Sequence, residues 1–183
     1  MTSAPPPACP TTQALAAGNV AAYAALYDRL SGPMLRVACA LTGSHADAED
    51  AVHDVFVSLA KYRHQLGNVR DLDAYIFSSL RHAVAANKSR RRIETRRLRF
   101  AAVGMSPTTE ARDGAAAADL GAEDLAALVA RLPPKQREVI ALKIDGGLTF
   151  EQIGSVLGVS PNTAASRYRY ALEKLRQQMQ EPK

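Results

Sequence analysis

Leu148-Thr149-Phe150-Glu151-Gln152-Ile153-Gly154-Ser155-Val156-Leu157-Gly158-Val159-Ser160-Pro161-Asn162-Thr163 is the stretch on which the fold turns. Thr149 and Gln152 stand at capping-box spacing, so a short helix opens here with Ile153, Val156 and Leu157 facing inward. Gly158 supplies a left-handed residue that ends it, and Val159 plugs the corner. Ser160 caps a second helix and Pro161 fits its first position. Along that helix Ala164, Tyr168, Ala171, Leu172 and Leu175 form the inward stripe. Helix, glycine turn and helix with this apolar pattern make a helix-turn-helix, whose second helix suits the major groove of DNA. The candidate groove-facing residues are Asn162, Thr163, Ser166, Arg167, Arg169 and Tyr170, with Ala165 among them. Arginine pairs with guanine or holds a phosphate, and Asn, Ser and Tyr hydrogen-bond to either.

Ahead of this motif, Leu125, Leu128, Val129 and Leu132 mark a helix stopped by Pro133-Pro134, and Val139, Ile140 and Ile144 mark another ending at Asp145-Gly146-Gly147. Further upstream, Gly104, Ser106-Pro107, Gly114 and Gly121 interrupt an Ala-rich stretch, which predicts a flexible linker. The N-terminal half is helical too. Apolar side chains recur at helical steps from Thr12 to Leu30 with a break at Gly18-Asn19, and Ser31-Gly32-Pro33 predicts a second break before a segment from Met34 to Leu41.

Ser44 then caps a helix reaching about Tyr62. Ala48, Ala51, Val52, Val55, Phe56 and Leu59 form its apolar stripe, and Asp47, Asp50 and Asp54 an acidic row beside it. A polar loop, His64 to Asp71, leads to a helix from Leu72 to at least Arg92, with Leu72, Ile76, Leu80, Ala83 and Val84 inward. Its far end is strongly basic: between Arg81 and Phe100 eight Lys or Arg (Arg81, Lys88, Arg90, Arg91, Arg92, Arg96, Arg97, Arg99) face one acid, Glu94.

The whole chain of 183 residues reads as all-α, with 47% apolar residues to bury and a net charge of +5 that favours polyanionic partners. Cys9 and Cys39 have no Cys-x-x-Cys neighbour, and four scattered histidines give no metal-ligand spacing, so no metal and no cofactor are expected. Cys39 reads as a small buried hydrophobe. Without a signal-peptide or membrane-spanning pattern, a cytoplasmic protein with no membrane insertion is expected. No phosphate-cradling glycine loop, nucleophile elbow or acid-base pair supports an enzyme.

Two blocks resemble the bacterial RNA polymerase sigma factors of the extracytoplasmic-function group. Leu132-Pro133-Pro134-Lys135-Gln136-Arg137-Glu138-Val139 with the helix-turn-helix resembles the family's fourth region, and Ala46-Asp47-Ala48-Glu49-Asp50-Ala51-Val52-His53-Asp54-Val55-Phe56 its second. The resemblance implies a region 2 domain over 12–96, a linker over 97–123 and a region 4 domain over 124–180. It implies that Asp50, His53, Asp54 and Phe56 dock on the clamp helices of the largest polymerase subunit, while the polymerase flap is a further contact. An acidic row beside an apolar stripe does suit a basic helical partner.

It further implies that Leu66, Asn68, Tyr75, Ser79, Arg81, His82, Lys88, Arg90, Arg91 and Arg92 recognise and melt the minus-ten element of promoter DNA. The helix from Pro161 would read the minus-thirty-five element, and an anti-sigma factor would restrain the protein. Family members commonly carry Gln at the position of His53, Asn at that of His82, a basic residue at that of Ala165 and an aromatic where Leu66 stands. The competing readings are a stand-alone helix-turn-helix regulator, acting as a symmetric dimer on paired half-sites, and a helical adaptor using the basic run for RNA.

Overall fold

The computed structural model describes residues 11–101, 125 and 127–180, and every regular element among them is helical. Helix α1 (Thr12–Ala16) is capped by the Thr11 hydroxyl, and α2 (Val20–Thr42) by the Asn19 side chain. The break at Gly18-Asn19 therefore falls as expected. The break at Ser31-Gly32-Pro33 does not form: α2 runs through Pro33. A mid-helix proline loses one hydrogen bond and clashes with the preceding turn, at about 3 kcal/mol. Leu26, Leu30, Met34, Val37 and Ala38 are buried on both sides of it, and each such Leu, Met or Val returns about 1.5–3 kcal/mol. Burial along one continuous face outweighs the local penalty.

Helix α3 (His45–Lys61) begins at Ser44, whose hydroxyl accepts from the Asp47 N–H. The expected loop after it is partly a 3₁₀ turn, Arg63–Asn68, packed on α1. Helix α4 (Leu72–Ala101) is opened by Asp71, whose carboxylate accepts from the Ala74 N–H at 2.9 Å. Helices α2, α3 and α4 pack on one another, and a bidentate pair from Arg29 to Asp73, at 2.9 and 2.7 Å, ties α2 to α4. The Tyr23 hydroxyl donates to the Leu59 carbonyl at 3.0 Å, and burial pushes its pKa up against the pull of Arg63.

Residues 97–101, expected in the linker, continue α4. The rest of the linker, 102–124, lies outside the described residues. Helical residues 127–130 precede α5 (Pro134–Ile144), α6 (Phe150–Leu157) and α7 (Pro161–Gln180). Ile144, one of the residues that mark this helix in the sequence, is 62% exposed at the end of α5.

Among the described residues, the C-terminal half keeps only a small core to itself. Val139, Ala141, Leu142, Leu148, Ile153, Val156 and Ala164 belong to the same buried cluster as Leu26, Met34, Phe77 and Leu80. Only Leu132, Ile140, Ala171 and Leu175 form a separate, smaller one. Helix α5 packs on α2, and α6 on α4. A unit of this size buries too little of its own surface to be strongly stable, so apolar area left over on α5 and α6 is satisfied against the first half.

Candidate nucleic-acid interface

The turn between α6 and α7 is built by local chemistry. The Thr149 hydroxyl accepts from the Gln152 N–H at 3.2 Å while the Gln152 side-chain oxygen accepts from the Thr149 N–H at 2.9 Å, completing the capping box. Gly158 ends α6 at φ 65°, a left-handed backbone that favours glycine. Gly154 is a second requirement, since a Cβ there would come within 2.8 Å of the Val159 carbonyl oxygen. The Ser160 hydroxyl accepts from the Thr163 N–H at 3.1 Å and so caps α7.

On α7, Ala164, Ala171 and Leu175 are buried, and the Tyr168 ring meets Phe150 edge-on with centroids 5.7 Å apart. Tyr168 is thus part of the packed side. Asn162, Thr163, Arg169 and Tyr170 are exposed, and Ser166, Arg167 and Ala165 are half-buried. Arg169 donates to the Ser166 hydroxyl at 3.3 Å, which steadies its guanidinium on the outer face.

The N-terminal candidates divide by helix. Asp50 and His53 are exposed on α3, while Asp54 and Phe56 are half-buried. The Phe56 ring meets that of Tyr27 of α2 at a tilt, with centroids 4.9 Å apart, and Tyr27 is itself 52% exposed. In the sequence Tyr27 recurs at helical steps with Tyr23, Leu26 and Leu30, a pattern that does not signal a place on this outer surface. A tyrosine at a boundary position satisfies both readings equally in a linear pattern.

Of the melting candidates, Leu66 is only 1% exposed and belongs to the core; the short 3₁₀ turn folds it under. Asn68 and His82 are exposed, and Tyr75 and Ser79 are half-buried, the Ser79 hydroxyl donating to the Tyr75 carbonyl at 2.9 Å. Four of the five cations have internal partners. Arg81 pairs with Glu138 of α5 at 2.8 Å, and Lys88 donates to the Leu41 carbonyl at 2.6 Å. Arg90 donates to the Asn87 side-chain oxygen at 3.1 Å, and Arg91 pairs with Asp47. Arg92 is exposed. Side chains of Arg96, Arg97 and Arg99 lie outside the described residues.

Asn87 is a residue that sequence reading missed. At 7% exposure it is the only buried polar or charged residue among the described ones, a fact that composition does not signal. Cys39 is a free thiol, half-buried rather than fully so, and burial raises its pKa, with Glu49 adding to the shift. Among the described residues no cluster of His, Cys, Asp or Glu could hold a metal, and no helix is long and apolar enough to cross a membrane.

A helical bundle carrying a basic helix, followed by a capped helix-turn-helix with an open polar face, defines a two-module helical DNA-binding protein. The comparisons narrow this class. The model of sigma-70 region 2 matches residues 26–94, and that of sigma-70 region 4 matches 122–175. The chain is 31% identical over 173 residues to the ECF RNA polymerase sigma factor SigL of Mycobacterium tuberculosis, covering 91% of this chain and 93% of that one. It is 30% identical over 139 residues to the ECF sigma factor ShbA of Streptomyces griseus, covering 70% and 68%. Among solved structures, CnrH in complex with the cytosolic domain of CnrY superposes with a TM-score of 0.63 at 22% identity, covering 92% of this chain and 94% of that one. The sigma factor RpoE of Bartonella quintana, in complex with the anti-sigma factor NepR, gives 0.62 at 24%, covering 84% and 94%.

The chain belongs to the ECF RNA polymerase sigma factors of the sigma-70 family. Its function is that of a sigma factor, directing RNA polymerase to promoters, and the stand-alone regulator is not favoured.

Proposed function

We propose that the three segments divide the work as region 2 (12–96), linker (97–123) and region 4 (124–180). Asp50, His53, Asp54 and Phe56 dock on the clamp helices of core polymerase, and the flap is a further contact. Asn68, Tyr75, Ser79, Arg81, His82, Lys88, Arg90, Arg91 and Arg92 meet the minus-ten element and help to open it. Leu66 supports the loop from within. Unstacking a base costs a few kcal/mol, which a cationic surface offsets. Asn162, Thr163, Ser166, Arg167, Arg169 and Tyr170 read the minus-thirty-five element. The protein acts by binding and catalyses nothing. Its RpoE neighbour is described with an anti-sigma factor, which supports an anti-sigma partner here, in the cytoplasm.

The observation that carries this reading is the outer face of α7, where Asn162, Thr163, Arg169 and Tyr170 stand exposed behind a capped glycine turn. Run-off transcription with core polymerase tests it: the chain should direct start-site-specific transcripts while binding promoter duplex poorly alone. If His82→Ala and the combined Arg90→Ala, Arg91→Ala variant open promoters normally while still binding polymerase, the assignment of the melting helix is wrong. A shift of palindromic duplex without polymerase would instead favour a free-standing regulator.

A further inference from the structure

The acidic row of α3 and the basic run of α4 are assigned to different partners, yet they meet inside the protein. Asp47 pairs with Arg91 at one end of the contact. Further along, the Asn87 side-chain nitrogen donates to Asp54 Oδ2 at 3.4 Å, and the Asn87 oxygen accepts from Arg90 at 3.1 Å. A carboxylate only accepts and a guanidinium only donates, so the two neighbours together dictate which way this amide points. A carboxylate at position 87 would repel Asp54, and an aliphatic side chain would bond neither. An amide at this depth, where an unmade hydrogen bond is costly, has a specific employment.

We propose that Asn87 is a positioning residue serving both surfaces: it aims Asp54 toward polymerase with its N–H and Arg90 toward single-stranded DNA with its carbonyl. The inference rests on the functional reading of Asp54 and Arg90 given above. One buried amide thereby sets the register between the two binding faces, and neither partner needs to touch it.

The test uses the full chain and two readouts: affinity for core polymerase, and the salt dependence of binding to mixed-sequence single-stranded DNA. Asp54→Ala and Arg90→Ala are measured first. Asp54→Ala should weaken polymerase binding, and Arg90→Ala should lower the log–log salt slope by about 0.7. If neither does so, the reading of those residues fails and the inference with it.

Asn87→Leu keeps the volume and removes both bonds. It should weaken polymerase binding about three- to tenfold and lower the salt slope as Arg90→Ala does, with the melting temperature held. Asn87→Asp, which opposes Asp54 directly, should weaken polymerase binding more than Asn87→Leu. The polymerase penalty of Asn87→Leu should vanish in an Asp54→Ala background, and its slope change in an Arg90→Ala background. Should Asp54→Ala and Arg90→Ala behave as stated while Asn87→Leu leaves both readouts unchanged, or costs the same in every background, the positioning role is overturned and the functional reading stands.

Discussion

Asp145 shows how one side chain feels two opposed influences. It lies 3.5 Å from Arg36 of α2, an ion pair that lowers its pKa, yet burial dominates and its carboxyl sits above the ordinary carboxylate value. The folded state therefore binds this proton more tightly than the unfolded chain, and stability falls as pH rises through the window just above the usual carboxylate pKa. Asp145→Asn should flatten that part of a stability–pH curve and cost no stability at pH 7, as followed by thermal melts across pH. Arg169, steadied by Ser166, faces outward; Arg169→Ala should weaken holoenzyme binding to a minus-thirty-five duplex by about 1–3 kcal/mol, read by titration. The exposure of Asn162, Thr163, Arg169 and Tyr170 on α7 was legible because capping and glycine chemistry set their phase within a few positions. Leu66, Tyr27 and Asn87 were not, since their exposure depends on neighbours distant in sequence.

Helices obey the same logic over longer spans. The start of α3, the ends of α6 and the start of α7 follow from Ser44, Thr149, Gly158 and Ser160, each a local signal that the structure uses. Helix α2 overrides such a signal at Pro33 because its buried face continues on either side. Pro33→Ala should restore the missing backbone bond and stabilise the protein by about 1–3 kcal/mol, measured by denaturant unfolding. A fall in stability would mean that the proline-induced shape of α2 is itself needed for packing. Helix α4 carries a long charged face, and its internal ion pairs and hydrogen bonds to α2, α3 and α5 were invisible to a charge count.

The two halves are packed as one body, with Arg81 joined to Glu138, Asp71 to Gln152 at 3.2 Å, and a common apolar core between. Promoter elements centred at minus ten and minus thirty-five lie about 25 base pairs apart, roughly 85 Å of duplex at ~3.4 Å per pair. Under the division of work proposed above, helices in direct contact do not span that distance, so α6 leaves α4 when both elements are engaged. Dyes at exposed Ala85 and Glu173 should show high energy transfer in the free protein and low transfer on holoenzyme with promoter. Glu138→Lys should lower transfer in the free protein; high transfer throughout would rule out the separation. The linear order of residues was enough for the helical class, most helix starts, the helix-turn-helix and the family, because periodicity, caps and turn residues act within a few positions; the continuity of α2 through Pro33 and the reach of α4 to Ala101 were not among them. How the halves meet was settled in three dimensions, by contacts between residues 57 and 81 positions apart. Such contacts depend on the complementarity of whole faces, which no short stretch of sequence contains.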